Sequence, residues 1–242
     1  MQWTIRRLAR LQQIVAASSY LEIGVQTGRT FNSLDFEQMD AVDPKFLFDY
    51  KAKATDSRRF FEMTSDDFFL GGNALDLYDL IFIDGLHTYD QTYRDFCHSV
   101  SRSSRRSMIV IDDVFPCDRF AAKRSQAECV SMRRSKAPNS PYKAHWQGDV
   151  YKMIVLLALF HKNFNYATIS DGENYQTVVW PEYLSKCSKA SLPFEPFVND
   201  EFLINAASQL NGLKYKWIAK NQGIYNLCEE EALMDYLEVI YR

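Results

Sequence analysis

Long apolar stretches are missing from this sequence of 242 residues. The longest, Met153 to Phe160, spans eight residues, well short of the roughly 20 that a membrane-crossing helix needs. Patterned cysteine is missing too. Cys97, Cys117, Cys129, Cys187 and Cys228 are odd in number and form no C-x-x-C pair. That argues against a disulfide framework or a zinc site and points to reduced thiols in a cytoplasmic protein. Neither sign of charge dominates. A net charge of −3 gives no global attraction to nucleic acid or to an anionic membrane. There is no internal repeat and no low-complexity tract. What is present is core material: at 47% hydrophobic, the chain can bury a substantial interior as one α/β domain, 1–242, with insertions.

The first seventeen residues carry Arg6, Arg7 and Arg10 and no acid, as a transit peptide would. However, Leu8, Leu11 and Val15 fall at helical spacing and lead straight into an apolar run, so a core helix is expected. Tyr20 to Gly24 reads as a buried strand, with a short helix expected from about Thr30. Met39 to Asp43 is a second strand stopped by Pro44, and Arg59 to Met63 a weaker third. Leu80 to Asp84 and Met108 to Asp112 are each apolar until a terminal acid. Between them Tyr93, Phe96 and Val100 keep helical spacing.

From Cys117 the chain turns basic, with Arg119, Lys123, Arg124, Arg133, Arg134, Lys136 and Lys143 against Asp118 and Glu128. This insertion, about 117–147, is either a cationic lid drawing an anionic substrate or a solvated loop. Gly148-Asp149 then opens an apolar helix to about His161, where Asp149 and Lys152 line the pocket or serve as caps. Tyr166 to Ser170 and Tyr175 to Trp180 flank Asp171-Gly-Glu-Asn174, a hairpin signal. An aromatic-rich extension, about 181–242, ends in an acidic helix from Glu229 to Tyr241. It packs on the core or forms a homo-oligomer interface.

Strands alternating with helices predict a parallel sheet whose strand ends share one rim, where ligands bind. Gly24, Asp43, Asp84, Asp112 and Asp113 all fall there. Glycine at 24 and again at 28 lets backbone approach a ligand. Asp43 suits paired hydrogen bonds to ribose hydroxyls. The dinucleotide pattern G-x-G-x-x-G fails, because Gln26 and Arg29 stand where it needs glycine. Asp84, Asp112 and Asp113, on neighbouring strands about 4.8 Å apart, could share one hard divalent ion.

Glu22-x-Gly24-x-x-x-Gly28 resembles the first motif of the Rossmann-like S-adenosylmethionine-dependent methyltransferases. The likeness continues in order through Asp43, Thr64-Ser65-Asp66 and Asp84. Phe82-Ile-Asp84-Gly-Leu-His87-Thr-Tyr89, Ile109-Val-Ile-Asp112-Asp113 and Gly148-Asp149-Val-Tyr-Lys152 are similar to a bacterial subgroup that includes macrolide-sugar O-methyltransferases. The resemblance covers roughly Tyr20 to Trp180. It implies a doubly wound, mostly parallel seven-stranded sheet with a closing antiparallel hairpin strand. It implies S-adenosylmethionine held by Glu22, Gly24, Gly28, Asp43, Ser65, Asp66 and Asp84. It also implies magnesium or manganese on Asp84, Asp112 and Asp113, with His87 as catalytic base beside Asp84. The expected substrate is a small molecule or glycan hydroxyl. A non-catalytic binding module, or a metal-dependent oxidoreductase on the same scaffold, remains open at this point.

Overall fold

Strands that are apolar at every position need cover on both faces. The computed structural model, which describes residues 2–143, 145–172 and 174–242, supplies it. Glu173 of the hairpin signal, Met1 of the first helix and Ala144 of the insertion lie outside the described residues. The elements in chain order are α1 (Gln2–Val15), β1 (Ser19–Ile23), β2 (Gln38–Asp43), β3 (Arg58–Glu62), α2 (Ser65–Leu70), β4 (Tyr78–Ile83) and α3 (Tyr89–Ser101). They continue with β5 (Ser103–Ile111), α4 (Gln126–Lys136), α5 (Met153–Phe160), β6 (Phe164–Ile169), β7 (Thr177–Pro181) and α6 (Glu182–Cys187). The last are α7 (Asp200–Ser208), α8 (Tyr215–Lys220), β8 (Leu227–Cys228) and α9 (Glu230–Tyr241).

The strands form one Rossmann-like mixed sheet in the order β3-β2-β1-β4-β5-β7-β6-β8. Strands β1 to β5 pair in parallel, and β7 runs antiparallel between β5 and β6. The expected seven strands are joined by an eighth. It is two residues long, pairs in parallel with Thr168 and Ile169, and is too short to leave a sequence signal. Chain direction across the sheet reverses between β1 and β4, which makes their C-terminal ends the switch point.

Side chains alternate across the sheet and feed two cores. Tyr20, Leu80, Phe82, Met108, Val110 and Trp180 pack with α1 and α9. Leu21, Ile81, Ile83, Ile109 and Ile111 pack with Phe96 of α3 and Ile154 of α5. The segment after the glycine turn forms only a single 3-10 turn, Phe31–Ser33, in place of the expected helix. The basic insertion is a helix, α4, where a loop was expected. Ser125 caps it by accepting from the backbone N–H of Glu128, a Ser-x-x-Glu start signal present in the sequence. No helix is long and apolar enough to cross a membrane among the described residues.

Arg7 lies on the buried stripe of α1 between Thr4 and Leu8 and is fully enclosed. Its guanidinium donates to Glu230 Oε2 of α9 at 2.7 Å, to the Asp171 carbonyl at 2.9 Å, to the Asn174 carbonyl at 2.5 Å and to Gln176 Oε1 at 3.2 Å. One buried charge thus ties the first and last helices to the β6–β7 turn. Breaking a buried pair leaves its partner uncompensated, at about 3–5 kcal/mol. Arg7→Met should therefore lower unfolding free energy by about that amount in urea titrations. A loss under roughly 1 kcal/mol would mean Arg6, which also reaches Glu230, suffices alone.

Candidate active site at the switch point

The sheet ladder runs one residue past each strand end. Gly24 N–H donates to the Val42 carbonyl at 2.9 Å, Asp84 N–H to Ile23 at 2.8 Å and Asp112 N–H to Ile83 at 3.0 Å. This fixes three backbones side by side at the rim before the chain turns away. Gly24 has φ +89°, and a Cβ there would lie 1.9 Å from the Asp84 carbonyl oxygen, so no other residue fits. Gly28, at φ +72°, is also obligatory, but for packing: its missing Cβ would strike Phe48 and Asn32. The expectation that Gly28 opens space for a ligand is corrected accordingly.

A cavity of about 150 Å³ opens beside Gly24. Its wall includes Glu22, Gln26, Arg29, Asp84, Asp112 and Asn174. Glu22 lies on the same strand face as Tyr20, whose hydroxyl donates to it at 2.7 Å. Burial raises the Glu22 carboxyl to about 8, only partly offset by the Tyr20 hydrogen bond, and the Asp84 charge adds to the rise. Asp43, at the end of β2, accepts from the backbone N–H of Gln26 and of Lys45, both at 2.8 Å. Those bonds leave lone pairs on each oxygen for a ligand. Ser65 and Asp66 begin α2 and are engaged with α3. Ser65 donates to Asp95 at 2.6 Å, and Gln91 Nε2 donates to Asp66 at 3.2 Å. The structure places neither of these two, nor Asp43, on the cavity wall.

The three acids expected to share a metal separate into two groups. Asp112 faces the β6–β7 turn and accepts from Asn174 Nδ2 at 2.8 and 3.1 Å and from Gln176 Nε2 at 3.2 Å. The next residue, Asp113, takes a left-handed backbone at φ +60°, which turns its side chain to a different quarter. Donor atoms of Asp84, His87 and Asp113 lie within 4.8 Å of one another. His87 therefore takes the place expected for Asp112 in the ligand set. Burial drives Asp112 up to about 7, and the Asp84 charge adds to it against the amide bonds. Burial likewise raises Asp84 to about 6, with His87 opposing.

His87 stacks on Trp146, ring centroids 4.8 Å apart. Its Nδ1 lies 3.1 Å from the Trp146 carbonyl and 3.0 Å from Asp113 Oδ2, and its Nε2 lies 3.5 Å from Asp84 Oδ1. A carbonyl only accepts, so Nδ1 carries a proton, and Nε2 is the atom that becomes a ligand once a metal ion displaces its proton. Burial lowers the imidazole pKa, but Asp113 and Asp84 outweigh it and raise the ring to about 11. Between two bare carboxylates His87 holds its proton at neutral pH. That conflicts with its expected role as a base and suits a group that neutralises or ligates.

Trp146 was not singled out in the sequence, nor were Arg7, Asn174 and Gln176. The first sits in a polar segment and the last two in a hairpin far along the chain. Arg7 carried a readable signal, a charge on the apolar stripe of a helix. Gly148 locks the insertion against the site: at φ +65°, its Cβ would fall 1.7 Å from the His87 carbonyl. Asp149 does not cap its own helix. It accepts from Tyr89 N–H at the start of α3 and pairs with Lys152 and Arg124. Neither sequence reading describes the pair: no side-chain bond from Asp149 or Lys152 caps their own helix, and neither lines the cavity beside Gly24.

Residues 21–114 match the family described as a methyltransferase domain. The matched stretch runs from within β1 to just past the end of β5 and includes Gly24 and every donor of the Asp84–His87–Asp113 cluster. No curated protein matches the chain. Among solved structures, the chain is similar in fold to the O-methyltransferase TomG from Streptomyces achromogenes, involved in tomaymycin synthesis and bound to S-adenosylmethionine. The identity is 16% and the TM-score 0.52, over 74% of this chain and 79% of that one. It is also similar to the O-methyltransferase from Bacillus cereus in complex with S-adenosylhomocysteine, at 15% identity and TM-score 0.50, over 74% and 80%.

Two outcomes follow for this rim of the sheet. Gly24→Ala must push the Asp84 backbone away. It should cost about 1–3 kcal/mol in urea unfolding, where an unchanged midpoint would contradict the close approach. The Glu22 carboxyl titrates near 4.5 unfolded and about 8 folded, so the folded state holds an extra proton between those values. Its contribution to stability is complete below about pH 4.5 and fades as pH rises through 8. Glu22→Gln, always neutral, should flatten the decline of melting temperature across that window. Equal slopes in both proteins would contradict the buried neutral carboxyl.

Proposed function

We propose that this protein transfers a methyl group from S-adenosylmethionine to a hydroxyl oxygen with the help of a divalent metal ion. Asp84 carries the reading: its backbone closes against Gly24 at the cavity while its carboxylate belongs to the three-donor cluster. One residue therefore joins the cofactor side of the site to the side where an acceptor would be activated. The residues fit both groups. The cavity beside Gly24 has the carboxyls of Glu22, Asp84 and Asp112 on its wall, and a ligand carrying sulfonium and ammonium charges would favour their ionised forms. Two carboxylates and an imidazole, with positions left open, suit manganese or magnesium.

When bound, the cofactor supplies a methyl already activated as a sulfonium, and the ion would lower the pKa of a coordinated hydroxyl. The chain's own groups do the rest. Gly24 admits the ligand to the backbone, and Asp43 offers lone pairs to ribose hydroxyls. Asn174 and Gln176 keep the Asp112 carboxylate on the cofactor side. Trp146 fixes the His87 tautomer so that Nε2 is presented as ligand. With that lone pair used, the free oxygens of Asp84 and Asp113 are left to take the hydroxyl proton.

The acceptor is a hydroxyl of a sugar, glycan or secondary metabolite, as in the bacterial subgroup whose motifs the chain resembles. An anionic acceptor draws on fewer of the insertion's cations than the sequence offers, because three of the seven are engaged by acids. Arg124 pairs with Asp90 and Asp149, Arg133 with Asp118 and Lys123 with Glu128.

Calorimetry with S-adenosylhomocysteine tests the cofactor, and no heat at millimolar ligand would end the proposal. Manganese should raise the melting temperature of the wild type and of Asp112→Asn, but not of Asp84→Asn or Asp113→Asn. Loss of the shift in Asp112→Asn as well as in the other two would restore the three-aspartate set. On an acceptor that gains one methyl by mass, Asp84→Asn should lower the rate at least roughly 100-fold.

A further inference from the structure

The hollow beside Gly24 measures about 150 Å³, below the roughly 300–1,000 Å³ of pockets that enclose a whole small molecule. It takes one end of a nucleoside-sized cofactor, and its wall says which end. Asp43, suited to ribose, is not on it, nor are Ser65 and Asp66. Glu22, Asp84 and Asp112 are, together with residues 24–27, 29 and 30 of the turn after β1. That wall suits the methionine end of S-adenosylmethionine, where a sulfonium, an ammonium and a carboxylate lie a few bonds apart. The acids attract the first two charges. They repel the third, which needs a cation of its own.

Arg29 is the single cation on the wall among the described residues. His87 and Asp113, on the side where an acceptor would be activated, are not part of this wall, so Arg29 belongs to the cofactor side. Its guanidinium meets no carboxylate, side-chain acceptor or aromatic ring among the described residues. Arg58, by contrast, pairs with Asp35, lies over the Phe31 ring and is not on the wall. The backbone that carries Arg29 is held firmly. The Gly28 carbonyl accepts from Asn32 N–H at 2.9 Å and from Asn32 Nδ2 at 2.6 Å. The Arg29 carbonyl accepts from Ser33 Oγ at 2.8 Å. An unpaired charge on a fixed stem costs less to order when its counter-charge arrives.

We infer that Arg29 is the counter-ion for the carboxylate of the cofactor's methionine portion, an assignment that rests on the proposed methyl-transfer function. The planar guanidinium matches a carboxylate with two parallel hydrogen bonds. Glu22, Asp84 and Asp112 are left to the ammonium and the sulfonium. Affinity for the methyl donor then depends on a residue that touches no reacting atom.

Calorimetry on the full chain with two ligands isolates this contact. S-Adenosylhomocysteine carries the carboxylate, whereas S-(5′-adenosyl)-3-thiopropylamine keeps the adenosine, thioether and ammonium without it. Arg29→Gln should bind the first about ten-fold more weakly than the wild type, and the second to within about two-fold of it. Because the guanidinium has no partner in the folded chain, the variant should keep the wild-type melting temperature. Unchanged affinity of Arg29→Gln for S-adenosylhomocysteine, or an equal loss for both ligands, would overturn the assignment and leave methyl transfer standing. A wild type that bound neither ligand would overturn both.

Discussion

Glu22, Asp43, Asp84, Asp112 and Asp113 are delivered to one rim by β1, β2, β4 and β5, and like charges at that spacing repel. The site is built around this crowding, and each carboxylate is accommodated differently. Glu22 keeps a proton and a phenol. Asp43 takes two backbone N–H groups. Asp112 takes two side-chain amides. Asp84 and Asp113 flank an imidazole that stays protonated between them. Without such partners, burying these charges would cost more than a small domain can supply.

The compensating groups come from distant parts of the chain. Asn174 and Gln176 arrive on the β6–β7 hairpin, which Arg7 of α1 and Glu230 of α9 hold down. Trp146 arrives on the insertion and is locked to His87 through Gly148. The matched stretch at 21–114 thus supplies the acids, and the flanking segments supply what makes them tolerable.

This division explains what could be read from sequence. Runs such as Leu80–Ile83 and Met108–Ile111 declare themselves because burial on both faces demands apolar residues throughout, and the acids at their ends mark the rim. Glycine at 24 is legible because one conformation and one contact require it. Asp112 was misassigned to the metal because its orientation depends on amides some sixty residues later, which no local pattern encodes. Helix α4 was missed because basic composition masked its Ser125–Glu128 start signal and only Cys129 and Arg133 are buried along it. Strand β8 gave too little sequence to see.

The contact between Gly148 and the His87 carbonyl divides the insertion into two unequal parts. Trp146 to Asp149 is tied to the reacting centre and has almost no freedom to vary. Helix α4 and the turns around it meet that stretch at a few points, the Lys123 carbonyl on Trp146 Nε1, Arg124 on Asp149 and, at its edge, Arg133 on the His145 carbonyl, and the exposed remainder can be rebuilt at little risk. A lineage could exchange one acceptor for another by rewriting that remainder, within roughly residues 119–143, while the proton-bearing ring behind them stays where it is.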